Sequence, residues 1–406
     1  MFRSFFYLFF FSIFIIGCDD KVSENSIEEK ILEKPFKQIQ EEAKSTEVSI
    51  YMWGGSKEVN DYFDFFVIPK VKKQFDIILH RVPIDDVKIA LQQIELEKNA
   101  KRKGNIDIVW LNGENFKIAK TKDLLYGSFV SILPNYRDFV DQTNRSNIFD
   151  FAEATDGLEA PFGKSQFVMV YNSAKVQNPP KNNEELFQWI KNNPGRFTYP
   201  ASPDFTGSAL VRQLFLNKIK GIENLDKLHY QAKLNELFEE LNQLKPYMFK
   251  EGRYFPNSTA LMDTLYANES VDFTFSYNPS HALNKIKTSN FPTTSKTALF
   301  EIGTLSNTHF LTIPKTASNV KGAITVINYL LSSDAQYEKA KNSVWGDGTI
   351  LNIDKLSIKM KQDFLDLSSD EALLNTTILQ NNQIPELDAT TIEQIEKSWI
   401  ENVLKK

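Results

Sequence analysis

From residue 47 the chain alternates two hydrophobic rhythms. Val48 to Trp53 is a short apolar run stopped by Gly54-Gly55, the length and punctuation of a buried strand. Phe63, Phe66, Val67, Val71 and Phe75 then fall three or four apart, which predicts a helix with one apolar face. Ile77 to Val82 restores the strand rhythm. Strand, helix, strand reads as a βαβ unit with parallel strands. A helix is expected over 85–100 and a strand over 106–110, ending at Asn112-Gly113.

The same pattern returns further on. Phe167 to Tyr171 and Arg196 to Tyr199 predict strands. The segment 184–192, capped by Asn183 and stopped by Pro194-Gly195, predicts a helix, and 208–220 another. Leu234, Leu237, Phe238, Leu241 and Leu244 mark one more. Val271 to Phe275 is again a strand and leads to Tyr277-Asn278-Pro279. An apolar strand carrying an Asp and ending near an Asn thus occurs in each half, which points to two lobes of similar build. Beyond Ile313 the chain is mostly helical, and its last helix aligns Ile392, Ile395, Trp399 and Val403.

The first 45 residues do not continue the strand–helix alternation, although Ile27 to Ala43 has the makings of a partial helix. Arg3 precedes an apolar run from Phe5 to Ile16, too short to span a bilayer but the right length for the core of a secretory signal. It ends in Ile15-Ile16-Gly17-Cys18, which looks like a bacterial lipobox whose cysteine takes the lipid. Cys18 is the only cysteine of the chain. Residues 1–17 are therefore expected as a signal peptide. In 19–45, 13 of 27 residues are charged, so 18–45 is expected as a lipid-anchored polar tether.

Composition narrows the chemistry. With 42% apolar residues in 406, the chain can build large cores. One cysteine and four scattered histidines leave no disulfide framework and no zinc motif. The charge of −5 argues against nucleic acid as a partner. No GxSxG, phosphate-binding P-loop or GxGxxG is present. Glu114, Asp156, Glu159 and Asp204 lie near glycine clusters, where paired carboxylates serve acid–base work, cation binding or turn capping. A hydrolase using them is one rival reading, and a surface lipoprotein without a ligand is another.

Several glycine clusters sit at predicted strand ends beside an aromatic and a polar residue. In an open α/β sheet, that is where ligands bind. Trp53, Trp110, Phe162, Phe205 and Tyr277 are candidates to stack on a flat or cationic ligand. Phe205-Thr206-Gly207-Ser208 runs into a helix, whose free N–H groups suit an anion or an ordinary N-cap. The candidate ligand set is Trp53, Gly54, Gly55, Trp110, Asn112, Asn115, Phe162, Phe205, Thr206, Gly207, Ser208, Tyr277, Asn278 and Asn307. No metal or cofactor residues are proposed.

Longer stretches carry a resemblance. WGGS at 53–56, IDIVWLNGENF at 106–116, DGLEAPFG at 156–163, NPGRFTYPASPDFTGSA at 193–209, FSYNP at 275–279, GTLSNTHFLTIP at 303–314 and VWGDGT at 344–349 are similar to the YnjB-type extracellular solute-binding lipoproteins of ABC importers. Phe162 stands where that family leads one to expect Trp. The resemblance implies an α/β type II periplasmic-binding fold. Each of its two lobes would be a mostly parallel sheet flanked by helices, and crossing hinge strands would join them. It places the first lobe at 46–165 plus 305–350, the second at 166–304, and helices 351–406 across both. It implies an exported, lipid-anchored monomer that captures a small solute and docks on a membrane permease with its ATPase. No chemical step is involved. The aromatic walls and the anion-ready helix suit thiamine or its phosphates; the nearby acids suit a polyamine or another cation.

Overall fold

The computed structural model describes residues 31–406, apart from 85, 227–228 and 368–369. The expected signal peptide, Arg3 and the lipobox with Cys18 lie outside the described residues. Eleven strands are named in chain order: β1 (Glu47–Trp53), β2 (Ile78–Ile84), β3 (Ile108–Leu111), β4 (Phe149–Asp150), β5 (Glu153–Ala154), β6 (Glu159–Gln166), β7 (Val168–Asn172), β8 (Phe273–Ser276), β9 (Ser295–Ala298), β10 (Thr304–Thr312) and β11 (Gln383–Pro385).

The larger sheet runs β11-β10-β3-β1-β2, with β6 on the other edge of β10. β1 pairs in parallel with β2 and β3, as the βαβ reading requires, whereas β10 runs antiparallel to β3 and β6. Between β1 and β2 the helical pattern forms as expected. It is one run from Lys57 to Phe75 with a π turn at Phe63–Val67 that keeps Tyr62 and Phe63 buried.

The second sheet differs from expectation. β8-β7-β9 is antiparallel in both pairings, so the second lobe is not built on a parallel sheet. The predicted strand Arg196 to Tyr199 is not a member of it. It lies beside β8, where Asp272 N–H donates to Arg196 O at 3.0 Å. On its other edge, Phe197 O accepts the Phe249 N–H at 2.8 Å, and 196–199 is not paired as a strand of the sheet.

The two largest hydrophobic cores among the described residues lie on the two sheets. One gathers Ile50, Met52, Phe162, Leu311 and Ile327; the other gathers Phe167, Leu214, Phe238, Phe275 and Trp399. The chain passes between them three times. It crosses from Phe162 to Phe167 at the β6–β7 junction, from Leu305 to Leu311 along β10, and from Phe364 to Leu387 near the end. At the β6–β10 crossing the register shifts between His309 and Phe310.

The tether expected over 18–45 ends earlier than its composition indicates. Helix α1 (Phe36–Glu42) packs against helix α2 (Val320–Leu330), and Ile39 and Ala43 are buried in the first core. The charges of this stretch face outward and hide an i, i+4 apolar pair (Ile39, Ala43) that is enough to dock one short helix.

Candidate functional site

A crevice opens at the carboxyl ends of β1 and β3. It is lined by Trp53, Ile84, Asp86, Trp110, Asn112 and Asn115, together with Val87. Trp53 is 50% exposed. Its indole lies back over Gly55, where an added Cβ would fall 2.4 Å from the ring, and a Cβ added at Gly54 would fall 2.5 Å from Pro83 of β2. Both glycines therefore set the tryptophan's position. Trp110 is held from the other side. Its indole N–H donates to Asn112 Oδ1 at 2.9 Å, and Asn112 Nδ2 donates to Thr308 O on β10 at 2.5 Å. Asn115 also lines the crevice, and its shielded Oδ1 has no hydrogen-bond partner.

Behind Trp110 stands an aromatic and ionic cluster. His309 lies edge-on to Trp110 at 5.0 Å and stacks on Trp345 at 6.1 Å. Its Nε2 is 3.2 Å from Asp347 Oδ1, and the wholly buried Lys339 donates to Asp347 Oδ2 at 2.5 Å. Lys339 Nζ also sits over the Phe162 and Trp345 rings at 5.1 and 5.4 Å. Burial pushes the Asp347 carboxyl up, but Lys339 and then His309 more than offset it and hold it below the ordinary range. Burial lowers Lys339.

The second lobe reaches this cluster through the end of β8. Asn278 Nδ2 donates to Trp345 O at 3.4 Å, and Ser280 Oγ donates to Asn342 Oδ1 at 2.6 Å. Phe205, 49% exposed, lies on Tyr277 at 4.6 Å between ring centres. Beneath it the Tyr277 hydroxyl bonds Glu386, which pairs with the buried Arg212.

Several expected ligand residues take other roles. Phe162 is wholly buried and packs on Phe63, Trp110 and Trp345, so it backs the site rather than walling it. Tyr277 is nearly buried, with its hydroxyl committed. The helix start expected as an anion subsite is already capped. Helix α3 (Phe205–Ile219) starts at Phe205, not Ser208, and its N-cap Asp204 already accepts Thr206 N–H at 3.0 Å and Gly207 N–H at 2.9 Å. A carboxylate thus occupies the place proposed for a phosphate. Gly207 is small because a Cβ there would meet Pro200 O at 2.1 Å. Ser208 Oγ donates to Glu396. Asn307 lines a different cavity with Asn112's acceptor residue Thr308 and with Glu386.

The four acids singled out in the sequence do not converge. Glu114 pairs with Lys88, Asp156 with Lys120, Asp204 caps a helix and Glu159 is buried. No group of three or more potential metal ligands is found among the described residues. Sequence reasoning missed Asp86, His309, Lys339 and Asp347. Only Asp347 had a local signal, in the Trp345-Gly346-Asp347 cluster; Lys339 sits in a short, mostly polar helix.

A model of bacterial extracellular solute-binding proteins matches residues 67–354. Protein YnjB of Escherichia coli (strain K12) is 36% identical over 327 residues, which are 79% of this chain and 84% of that protein. Among solved structures, the spermidine/putrescine ABC transporter substrate-binding protein PotD of Streptococcus pneumoniae strain Canada MDR_19A superposes with a TM-score of 0.63 at 17% identity, covering 88% of this chain and 98% of that one. The Tp0655 (TpPotD) lipoprotein of Treponema pallidum gives 0.61 at 12% identity, covering 89% and 100%. At these identities the two structures speak for the fold, which is that of the two-lobed periplasmic substrate-binding proteins.

Proposed function

The chain belongs to the bacterial extracellular solute-binding protein family, and from that premise we propose that its solute is a small organic cation held at the Trp53–Trp110 crevice. Proteins of this family serve ABC transporters by binding a solute and passing it to a permease and its ATPase; they are not enzymes. The observation that carries the ligand class is a half-exposed indole beside a second indole, with the Asp86 carboxylate in the same lining. Indole faces attract cations, most strongly once water is excluded. The capped start of α3 removes the main argument for a phosphate ester. The spermidine/putrescine binding named for the Streptococcus protein is in keeping with a cation.

Capture proceeds by closure of the lobes at 46–165 plus 305–350 and 166–304 about the β6–β7 and β10 crossings, with 351–406 packing across both. Phe205 and Asn278 enter the site from the second lobe, and the closed monomer docks on the permease. The expected test is a fluorescence and calorimetric titration with thiamine and with 1,4-diaminobutane. At least one quenches tryptophan emission in the native chain, and Trp53→Ala weakens it by about 2 kcal/mol, roughly 30-fold. Equal affinity in the variant removes Trp53 from the site.

The anchor is the lipid on Cys18, set behind Ile15-Ile16-Gly17. It holds the protein on the outer face of the cytoplasmic membrane or in the periplasm; no helix of the described residues is long and apolar enough to cross a membrane. Two or more acyl chains anchor stably, because each buried CH₂ adds about 0.8 kcal/mol. Cys18→Ser is expected to move the protein from the detergent phase to the aqueous phase. A variant that still partitions with detergent contradicts the lipobox reading.

A further inference from the structure

The β4–β5 hairpin carries features that the tryptophan crevice does not use. Its two turn residues, Phe151 and Ala152, sit at φ 45° and 69°. A two-residue hairpin turn favours positive φ at both positions but normally places Asn or Gly there. The Phe151 ring lies against Gly113, where an added Cβ would come within 3.3 Å of it. This turn presents Asp150, which is 1% exposed. Asp150 Oδ2 accepts the Gly113 N–H at 2.5 Å, while its Oδ1 is buried with no partner. Glu159, at the start of β6, is equally buried, and neither of its oxygens has a partner.

A cavity is built onto this hairpin. Its lining includes Arg145, Phe149, Asp150, Asn307, Thr308 and Glu386. It lies on the far side of Asn112 from the crevice: Asn112 reaches Thr308 O, and the next residue, Gly113, reaches Asp150. The charges around Asp150 are otherwise engaged or open to water. Lys120 pairs with Glu153 and Asp156, Glu386 pairs with Arg212, Lys164 donates to Ser146, and Arg145 is exposed over the Phe149 ring at 4.0 Å. Glu159 faces Asp150 from β6. The buried acceptor with unused capacity in this lining is therefore Asp150.

We propose that this cavity receives an ammonium group of the captured solute, that Asp150 is the carboxylate that holds it, and that seating it expels one proton. The inference rests on the reading of the solute as an organic cation. The step balances: the Asp150 carboxyl gives its proton to water, and the carboxylate then accepts an N–H from the ammonium. The net charge inside the cavity is unchanged, which is why a low-dielectric site tolerates the exchange. Burial supplies the proton to be exchanged. It pushes Asp150 up to about 8 against the pull of the Gly113 N–H, and pushes Glu159 well above the carboxylate range, with Asp150 reinforcing and Lys120 opposing.

The experiment is calorimetry of the mature chain at pH 7, in phosphate and in Tris, with 1,4-diaminobutane as the ammonium probe and with thiamine as a cation that has no ammonium group. For 1,4-diaminobutane, the observed heats should differ in proportion to the difference between the ionisation enthalpies of the two buffers, corresponding to about one proton released. Affinity should rise with pH and level off above 8. Asp150→Asn should bind at least tenfold more weakly at pH 8 with no such pH dependence, whereas Glu159→Gln should still release the proton. Equal heats in the two buffers, or an Asp150→Asn variant that keeps the native pH slope, overturn the inference. If Asp150→Asn fails to fold, the buffer comparison on the native chain decides alone. Tryptophan quenching without proton release sinks this inference and leaves the cation reading standing; no heat and no quenching with either probe sinks both.

Discussion

Glu386→Gln is expected to destabilise the fold by about 3–5 kcal/mol, because it removes the charge that compensates a buried arginine. Arg212 and Glu386 are both almost fully buried, and their contact is bidentate: Nε to Oε2 at 3.1 Å and Nη2 to Oε1 at 3.0 Å. Arg212 spends two further donors on Ser208 Oγ at 2.6 Å and Tyr277 OH at 3.2 Å. Burial works against the guanidinium, and Glu386 more than offsets it. The pair joins α3 to the segment after β11, so it fastens the third passage of the chain to the second lobe beneath Phe205. A chemical denaturation midpoint is the readout. The double variant Arg212→Met with Glu386→Met should recover most of the loss, since replacing both partners is often neutral. A single variant as stable as the native chain would show that the pair is not what holds α3 to this segment.

The second large effect is expected at Asp347. Asp347→Asn leaves the Lys339 ammonium, wholly buried, with the Gly348 carbonyl at 2.8 Å and two ring faces as its remaining partners. The expected cost is again about 3–5 kcal/mol. The sign with pH follows from the lowered carboxyl. Its contribution to stability is present above the ordinary carboxylate range and is lost as pH falls through the depressed value. The native chain should therefore lose stability toward acid more steeply than the variant. Because Asp347 also engages His309, which touches Trp110 and Trp345, the variant's tryptophan emission should shift. Unchanged stability with unchanged emission would contradict the cluster's role.

The sequence carried the strand–helix rhythm because buried strands and amphipathic helices leave local periods. β1, β2 and β3 and the helices between them were legible for that reason. The antiparallel second sheet was not, because its partners are far apart in sequence: Val170 of β7 meets Thr274 of β8 and Thr297 of β9. Alternation alone does not say which strand meets which. Of the crevice lining, Trp53, Trp110, Asn112 and Asn115 were legible at strand ends next to glycines. The errors came where a local motif has two physical uses. Thr206-Gly207-Ser208 reads as an anion cradle until Asp204 is seen in it, and an aromatic such as Phe162 reads as a wall until its burial is known. Lys339 and Asp150 had no local signal at all, since what sets them apart is burial beside residues distant in the chain.

Small-angle X-ray scattering of the mature chain, titrated with whichever of thiamine and 1,4-diaminobutane quenches its tryptophan emission, tests the central claim most directly. Closure of two lobes on a solute predicts a saturable fall in the radius of gyration at the same concentrations as the quenching. A radius unchanged through saturation, or no saturable response to either cation, would contradict capture of an organic cation by closure of the lobes.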